Sequence, residues 1–252
     1  MNPSERRATD IGRTLILVCT YNELANLPTL IESIRRVCSD DILVIDDASP
    51  DGTAAWVRER GVTDPTVKLM ERQGKLGLGT AILAGMKYAI DHGYDWVLNL
   101  DADLSHDPAS IVSLKAKAGH DVDLVIGSRY VSGGGLRNCS WKRHLVSRCA
   151  NLYAKALVWW SIADCSSAFR CYRTQALRQL PLDAMRCEGY GFLEEVLWWI
   201  LRRGYRVVEV PIVYTEREQG ESKISAREAI GTMKTLHRLS WMGFFTPKRR
   251  RP

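Results

Sequence analysis

Asp101 and Asp103 stand one residue apart at the end of the apolar run Asp95-Trp-Val-Leu-Asn-Leu100. Carboxylates two positions apart on an extended strand project to the same face, so both can reach one divalent cation, directly or through water. Hard oxygen ligands of this kind suit magnesium or manganese, with substrate phosphates and waters completing the shell. Asp46 and Asp47 end a second apolar run, Asp41-Ile-Leu-Val-Ile45, and Asp51 follows in the turn-rich stretch Ala48-Ser-Pro-Asp-Gly52. Carboxylates gathered at one rim repel one another unless a cation or hydrogen-bond donors balance them. Two readings stay open for these acids: ligands for a metal and its substrate, or solvated loop acids and helix caps.

Cations accompany the acids. Arg129 follows an apolar run in Gly127-Ser-Arg-Tyr130, and Arg217 and Lys223 flank the polar stretch Glu218-Gln-Gly-Glu-Ser222. On loops such groups bind phosphate, arginine as a bidentate fork and lysine as a point charge, although each alone could equally be a surface charge. Acids for a metal and cations for phosphates, set on a parallel sheet, favour a nucleoside diphosphate substrate. The segment Gly74-Lys-Leu-Gly77-Leu-Gly79-Thr80 does not fit a Walker P-loop, and it follows the third expected strand rather than the first. A tight strand-to-helix loop explains it as well as a phosphate cradle does. His106 could serve as base, metal ligand, surface residue or helix-entry partner, and no catalytic role is assigned to it. Trp159-Trp160 and Trp198-Trp199 read as packing residues.

These residues need a scaffold. Leu15 to Cys19 and Asp41 to Ile45 are short continuous apolar runs, as expected of strands buried on both faces. Between them Asn26 reads as a helix cap, and Leu27, Leu30, Ile31, Ile34 and Val37 recur at helical spacing. Helices over 53–60, 81–90 and 108–117 alternate with strands over 67–70, 95–100 and 122–126. That alternation predicts a parallel sheet with helices on both faces and ligands beyond the carboxyl ends of the strands. Asp101 and Asp103 fall at such an end. Further on, helices are expected over 141–159 and 193–203, and strands over 168–172 and 205–210. Ser225 with Glu228 forms a capping box that opens a last helix.

The 252 residues suffice for one sizeable α/β domain. With 46% hydrophobic and 25% charged residues, the composition is that of an ordinary globular protein. No run of 18 apolar residues occurs, and Met1 to Arg13 has no apolar segment of the secretory kind. The expected organisation is a flexible tail over 1–13, a single domain over 14–223, and a C-terminal helix with a basic tail over 224–252. The seven cysteines include no C-x-x-C pair, which fits buried thiols in a reducing cytoplasm rather than a zinc site. The net charge is +6, with Lys248 to Arg251 clustered at the end after Trp241-Met-Gly-Phe-Phe245. Aromatics followed by cations suit a lipid surface, and a core-packed helix with a solvated tail is the competing reading. No basic groove interleaved with aromatics appears elsewhere, so nucleic acid is not an expected partner.

Several motifs in order resemble the dolichol-phosphate (polyprenol-phosphate) mannose synthases of the inverting family 2 glycosyltransferases. The resemblance runs from about Leu15 to Ser225. It rests on Thr20-Tyr-Asn-Glu23, Val44-Ile-Asp-Asp-Ala-Ser-Pro-Asp-Gly-Thr53, Lys75-Leu-Gly-Leu-Gly79, Asp101-Ala-Asp-Leu-Ser-His106, Gly127-Ser-Arg-Tyr130, Glu209-Val-Pro-Ile212 and Arg217 to Lys223. The chain departs from the family at Cys19, where proline is common, at Ser166-Ser-Ala-Phe-Arg170, and at Leu193, where glutamine is usual.

The resemblance implies a Rossmann-like GT-A nucleotide-diphospho-sugar transferase fold with a mostly parallel central sheet. It implies that Tyr21, Glu23, Val44 and Asp46 cradle the nucleoside, and that Asp101, Ala102 and Asp103 hold the diphosphate region. It also implies that Asp101, Asp103 and Ser105 hold Mg2+ or Mn2+, and that Arg129, Arg217 and Lys223 bind phosphates. The implied donor is GDP-mannose and the implied acceptor a polyprenyl phosphate, with mannose transferred with inversion; the alternatives are a UDP-sugar such as UDP-glucose as donor, or a non-catalytic nucleotide-sugar-binding subunit. A cytoplasmic enzyme, peripheral on the cytoplasmic face of a membrane and open to a membrane-anchoring partner, completes the expectation.

Overall fold

The computed structural model describes residues 11–158, 161–185, 189, 191–216 and 226–246. The chain opens with β1 (Thr14–Thr20), α1 (Leu27–Val37), β2 (Asp41–Asp46), α2 (Thr53–Thr63), β3 (Val67–Glu71), α3 (Leu78–Asp91) and β4 (Trp96–Asp101). It continues through α4 (Ser110–Lys117), β5 (Leu124–Ser128), β6 (Gly135–Arg137), α5 (Trp141–Val158), β7 (Arg170–Arg173) and α6 (Thr174–Arg178). A short 3-10 turn at Leu182–Ala184 leads to α7 (Gly191–Arg202), β8 (Val207–Pro211), β9 (Val213–Thr215) and α8 (Ala226–Phe245).

Seven strands form the central sheet in the order β3-β2-β1-β4-β7-β5-β8. All neighbours pair in parallel except β7, which runs antiparallel between β4 and β5. The expected mostly parallel sheet is thus present, with one reversed strand that hydrophobic patterning cannot distinguish from a parallel one. The three-residue strands β6 and β9 form a separate parallel ribbon absent from the sequence expectations.

Alternation along β1 shows how the sheet is sandwiched. Leu15 and Leu17 point into one apolar layer with Ile82 and Met86 of α3 and Phe192 of α7. Ile16 and Val18 point into the other, with Leu30 and Ile34 of α1 and Ile111 and Leu114 of α4. Burial of both faces is why the strands read as continuous apolar runs. Gly85 lets α3 close on the sheet: a Cβ there would sit 2.7 Å from side-chain carbons of Leu17 and Ile45.

Two local expectations need correction. Asn26 occupies the position before α1, but its backbone is helical and its side chain caps nothing. Its Nδ2 instead donates to Glu23 Oε2 at 2.9 Å, while the Glu23 carbonyl accepts the Asn26 and Leu27 N–H groups. Asp103 does not lie on a strand with Asp101. β4 ends at Asp101, and Asp103 falls in the turn that follows, where Leu104 adopts the left-handed conformation at φ 61°. The strand geometry that would align the two carboxylates is replaced by turn geometry.

Candidate active site

The carboxyl ends of β1, β2 and β4 lie side by side, because Cys19 pairs with Ile45 on one side and with Asp101 on the other. Three residues just past these strands, Asn22, Ala48 and Leu104, have φ between 55° and 61°. Left-handed backbone at non-glycine residues costs energy and gathers at functional sites. The acids meet here as well. The Cys19 thiol is pushed well up, first by burial and then by the charges of Asp101 and Asp47.

The acids divide by what they already hold. Asp46 is fully buried and accepts the Thr20 hydroxyl at 2.8 Å, the Ser49 N–H at 2.8 Å and the Ser49 hydroxyl at 2.5 Å. Asp47 lies 3.0 Å from Arg72 Nε and accepts the N–H groups of Leu76 and Gly77 at 3.0 and 3.2 Å. It thereby ties the loop after β3 to the end of β2. Burial raises its carboxyl above the ordinary range, against Arg72 and these amides. Asp51 accepts the Leu24 N–H together with the N–H and hydroxyl of Thr53. Asp47 and Asp51 are therefore loop-fixing acids, and the glycine segment after β3 is a strand-to-helix loop. That loop carries Lys75, whose ammonium lies 4.3 Å from the centre of the Tyr21 ring.

Glu23 is buried beside Tyr21. Val44 is also buried: its side chain lies in the apolar layer and its backbone pairs with Val18 of β1 and Leu69 of β3, so it does not reach the rim where the resemblance places it. Ala102 is buried in that same layer. Asp103 Oδ1 accepts the Ser105 N–H at 3.1 Å, and the buried Ser105 hydroxyl has no hydrogen-bond partner.

Sequence reasoning left His106 without a role, yet it is 2% exposed at the heart of this turn. Its Nδ1 accepts the Asp101 N–H at 3.2 Å. Burial, with help from Arg129, holds the imidazole down to about 4 against the pull of Asp103 and Asp164, so the ring is neutral near pH 7.

Arg129 is not an isolated loop cation. Its Nε and Nη2 grip the two oxygens of Asp164, each at 2.7 Å, and Nη2 also donates to Ser166 at 2.7 Å. Burial works against the Asp164 charge, but Arg129 outweighs it and keeps the carboxyl below its ordinary value. Glu209 of β8 supports the pair by accepting the Ala163 and Asp164 N–H groups at 2.8 and 2.9 Å. Asp164 and Glu209 escaped notice as a structural couple. A lone carboxylate between Ile162-Ala163 and Cys165 was the available signal. Arg217 and Lys223 lie outside the described residues. β9, which ends one residue before Glu216, is anchored to the acidic turn by the Thr215 N–H, which donates to the Ser105 carbonyl at 3.0 Å.

Parallel strands ending in acids, strained rim loops and a buried cation fork define a nucleotide-diphospho-sugar transferase architecture of the GT-A kind. The chain belongs to glycosyl transferase family 2, whose profile matches residues 15–181. It is 42% identical over 234 residues, 91% of this chain and 88% of the other, to the polyprenol monophosphomannose synthase of Mycolicibacterium smegmatis. It is likewise 42% identical over 214 residues, 84% of this chain and 88% of the other, to the undecaprenyl-phosphate mannosyltransferase of Micrococcus luteus. Among solved structures it is similar in fold to glucosyl-3-phosphoglycerate synthase of Mycobacterium tuberculosis in complex with Mn2+, UDP and phosphoglyceric acid. That match has a TM-score of 0.69 at 18% identity and covers 94% of this chain and 81% of that one. A structure of the same synthase with Mg2+ and UDP matches at a TM-score of 0.68.

Proposed function

We propose that this glycosyltransferase moves mannose from GDP-mannose to a polyprenyl phosphate with inversion, on the cytoplasmic face of a membrane. The observation that carries the reading is the acidic turn at the end of β4, set beside the Tyr21–Glu23 and Asp46 loops, in a chain 42% identical to two polyprenyl-phosphate mannosyltransferases. The residues present fit a divalent cation. Asp101 and Asp103 offer hard oxygens, and the Ser105 hydroxyl is a buried oxygen with nothing to bond. Among the described residues no group of three His, Cys, Asp or Glu side chains is placed to hold a metal ion, so substrate phosphates and water would complete such a shell. Mg2+ or Mn2+ held by Asp101, Asp103 and Ser105 would supply neutralisation of the leaving diphosphate.

The chain's own groups do the rest. Tyr21, Glu23 and Asp46 cradle the nucleoside, and Val44, buried in β2 beneath them, fixes the strand that ends in Asp46. Arg217 and Lys223 bind phosphate oxygens together with Arg129, which Asp164 holds in place. The acceptor phosphate attacks the anomeric carbon as the bond to the diphosphate breaks. A phosphomonoester with a second pKa of about 6 is largely dianionic at neutral pH, so it needs no base to strip a proton. In-line placement of the reacting atoms supplies much of the acceleration.

The exposed side chains of α5 and α8 support the membrane reading. Trp141, Leu145 and Leu152 on α5, and Trp241, Phe244 and Phe245 on α8, are all exposed. The sequence of α5 contains five basic or histidine residues and no acid. Among the described residues no helix is long and apolar enough to cross a membrane.

The test combines protein, Mg2+ or Mn2+, labelled sugar nucleotide and polyprenyl phosphate in detergent. Lipid-linked mannose from GDP-mannose is expected, with UDP-glucose a poor competitor. Asp103→Ala should lower the metal-dependent rate at least ~100-fold, a loss typical of removing one electrostatic group from a transition state. Transfer from UDP-sugars alone would overturn the donor assignment, and an unaffected Asp103→Ala rate would remove that residue from the metal turn.

A further inference from the structure

A phosphate acceptor leaves His106 nothing to deprotonate, yet this ring is buried directly against the acidic turn. Its contacts give it a different task. A backbone N–H can only donate, so the 3.2 Å bond from Asp101 makes Nδ1 the acceptor and puts the proton of the neutral ring on Nε2. The ring therefore takes the place of a neighbouring strand at the last residue of β4 and closes the turn over residues 101–106. Its orientation is fixed on two sides. Phe169 lies tilted at 5.0 Å and Tyr214 edge-on at 5.7 Å, and the His106 and Tyr214 backbones form an isolated antiparallel bridge. Within the closed turn, Asp103 Oδ1 receives the Ser105 N–H and the Ser105 carbonyl receives the Thr215 N–H, which joins the turn to β9.

We infer that His106 is a positioning residue: by accepting the Asp101 N–H at Nδ1, it sets where the Asp101 and Asp103 carboxylates and the Ser105 hydroxyl point, and it couples that turn to β9. The inference rests on the reading of this turn as the metal and donor site. Groups that orient ligands in this way are worth ~10–100-fold in metal affinity when removed. An apolar residue of similar size would keep the packing against Phe169 and Tyr214 but lose the acceptor. Asparagine would keep a carbonyl oxygen close to the place of Nδ1.

The test uses the full chain with MnCl2 and GDP as probes. The Mn2+-dependent gain in GDP affinity is measured by calorimetry for the wild type, His106→Leu and His106→Asn, with circular dichroism to show that each is folded. The expected result is a loss of about tenfold or more in that gain for His106→Leu. His106→Asn should recover most of it, and GDP binding in EDTA should change far less in both. Nitrogen-15 spectra of the wild-type ring should show the proton on Nε2. A protonated Nδ1 overturns the inference even if the leucine variant fails to fold. So does a folded leucine variant that keeps the wild-type gain, or an asparagine variant as impaired as leucine, which would leave His106 as packing alone. If Mn2+ does not tighten GDP binding to the wild type, the metal reading of the turn fails first, and this inference falls with it.

Discussion

Arg129 and Asp164 hold each other with side chains 12% and 0% exposed. Removing one partner from such a pair leaves a buried charge without compensation, at a cost of about 3–5 kcal/mol, whereas replacing both by apolar groups can be nearly neutral. Asp164→Ala should therefore lower the melting temperature by roughly 10 °C for a chain of this size. A double Arg129→Met, Asp164→Leu variant should recover much of that loss in calorimetry while still lacking activity. Equal melting temperatures for the two would show that the pair is not the source of the cost. Glu194 of α7 presents the opposite case. It is 5% exposed, and its Oε2 has no hydrogen-bond partner. Burial, abetted by Asp164 and opposed by Arg170 and Arg129, pushes its carboxyl from an ordinary 4.5 up to about 7. The sign follows from linkage: the protonated form suits the fold, so its contribution is fully present below about 4.5 and is lost as pH rises through about 7. Glu194→Gln should flatten the pH dependence of stability in that window and be the more stable protein at pH 8. Parallel unfolding curves for both proteins from pH 5 to 8 would contradict this.

At the scale of elements, α3 makes a sharp prediction because it sets a local preference against packing. Alanine in a helix interior is ordinarily favoured over glycine by about 1 kcal/mol. At Gly85 the added methyl would press to 2.7 Å on both Leu17 and Ile45, and overpacking of this kind costs about 1–3 kcal/mol. Gly85→Ala should therefore lower the denaturant midpoint, and a raised midpoint would show that the sheet yields at this point. The same contest explains what was legible beforehand. The first half of the fold could be read because β1, β2 and β4 are apolar on both faces and α1 is amphipathic. Each of these patterns is local. The reversal of β7 could not be read, because Arg170-Cys-Tyr-Arg173 carries no mark of direction; its orientation follows from tertiary pairing with β4 and β5. The β6–β9 ribbon joins residues 78 apart in register, such as Gly135 and Val213, through strands too short to show a period. In the site, the acids were legible by type and place, but their division of labour was not. Asp47 binds Arg72 and two amides, whereas Asp103 sits in a left-handed turn, and sequence spacing does not encode either arrangement.

At the scale of the whole molecule, α5 and α8 form one platform. The Tyr153 hydroxyl meets His237 Nε2 at 3.2 Å, and the Ser240 hydroxyl donates to the Leu157 carbonyl at 2.9 Å. Arg238 of α8 lies 2.8 Å from Glu195 of α7, which fixes the platform to the domain core. Leu145 is 55% and Phe244 81% exposed, so neither contributes much to folding in water. Burying a side chain of this size in a lipid interface is worth up to about 1.5–3 kcal/mol, and each ~1.4 kcal/mol is a factor of ten in affinity. Leu145→Asp and Phe244→Asp should thus each weaken binding to vesicles containing anionic lipid by roughly tenfold or more, with unchanged melting temperature. Shortening the chain before Lys248 should act differently. It removes a cluster of cations whose attraction to anionic lipid is screened by salt, so the loss should appear at low ionic strength and vanish at high. Sedimentation with vesicles measures both effects, and activity on a water-soluble short-chain acceptor should survive every one of these changes. Vesicle affinity that ignores both aspartate substitutions, or a wild type that forms a stable dimer through this face and leaves vesicles unbound, would assign the platform to protein contact instead of lipid.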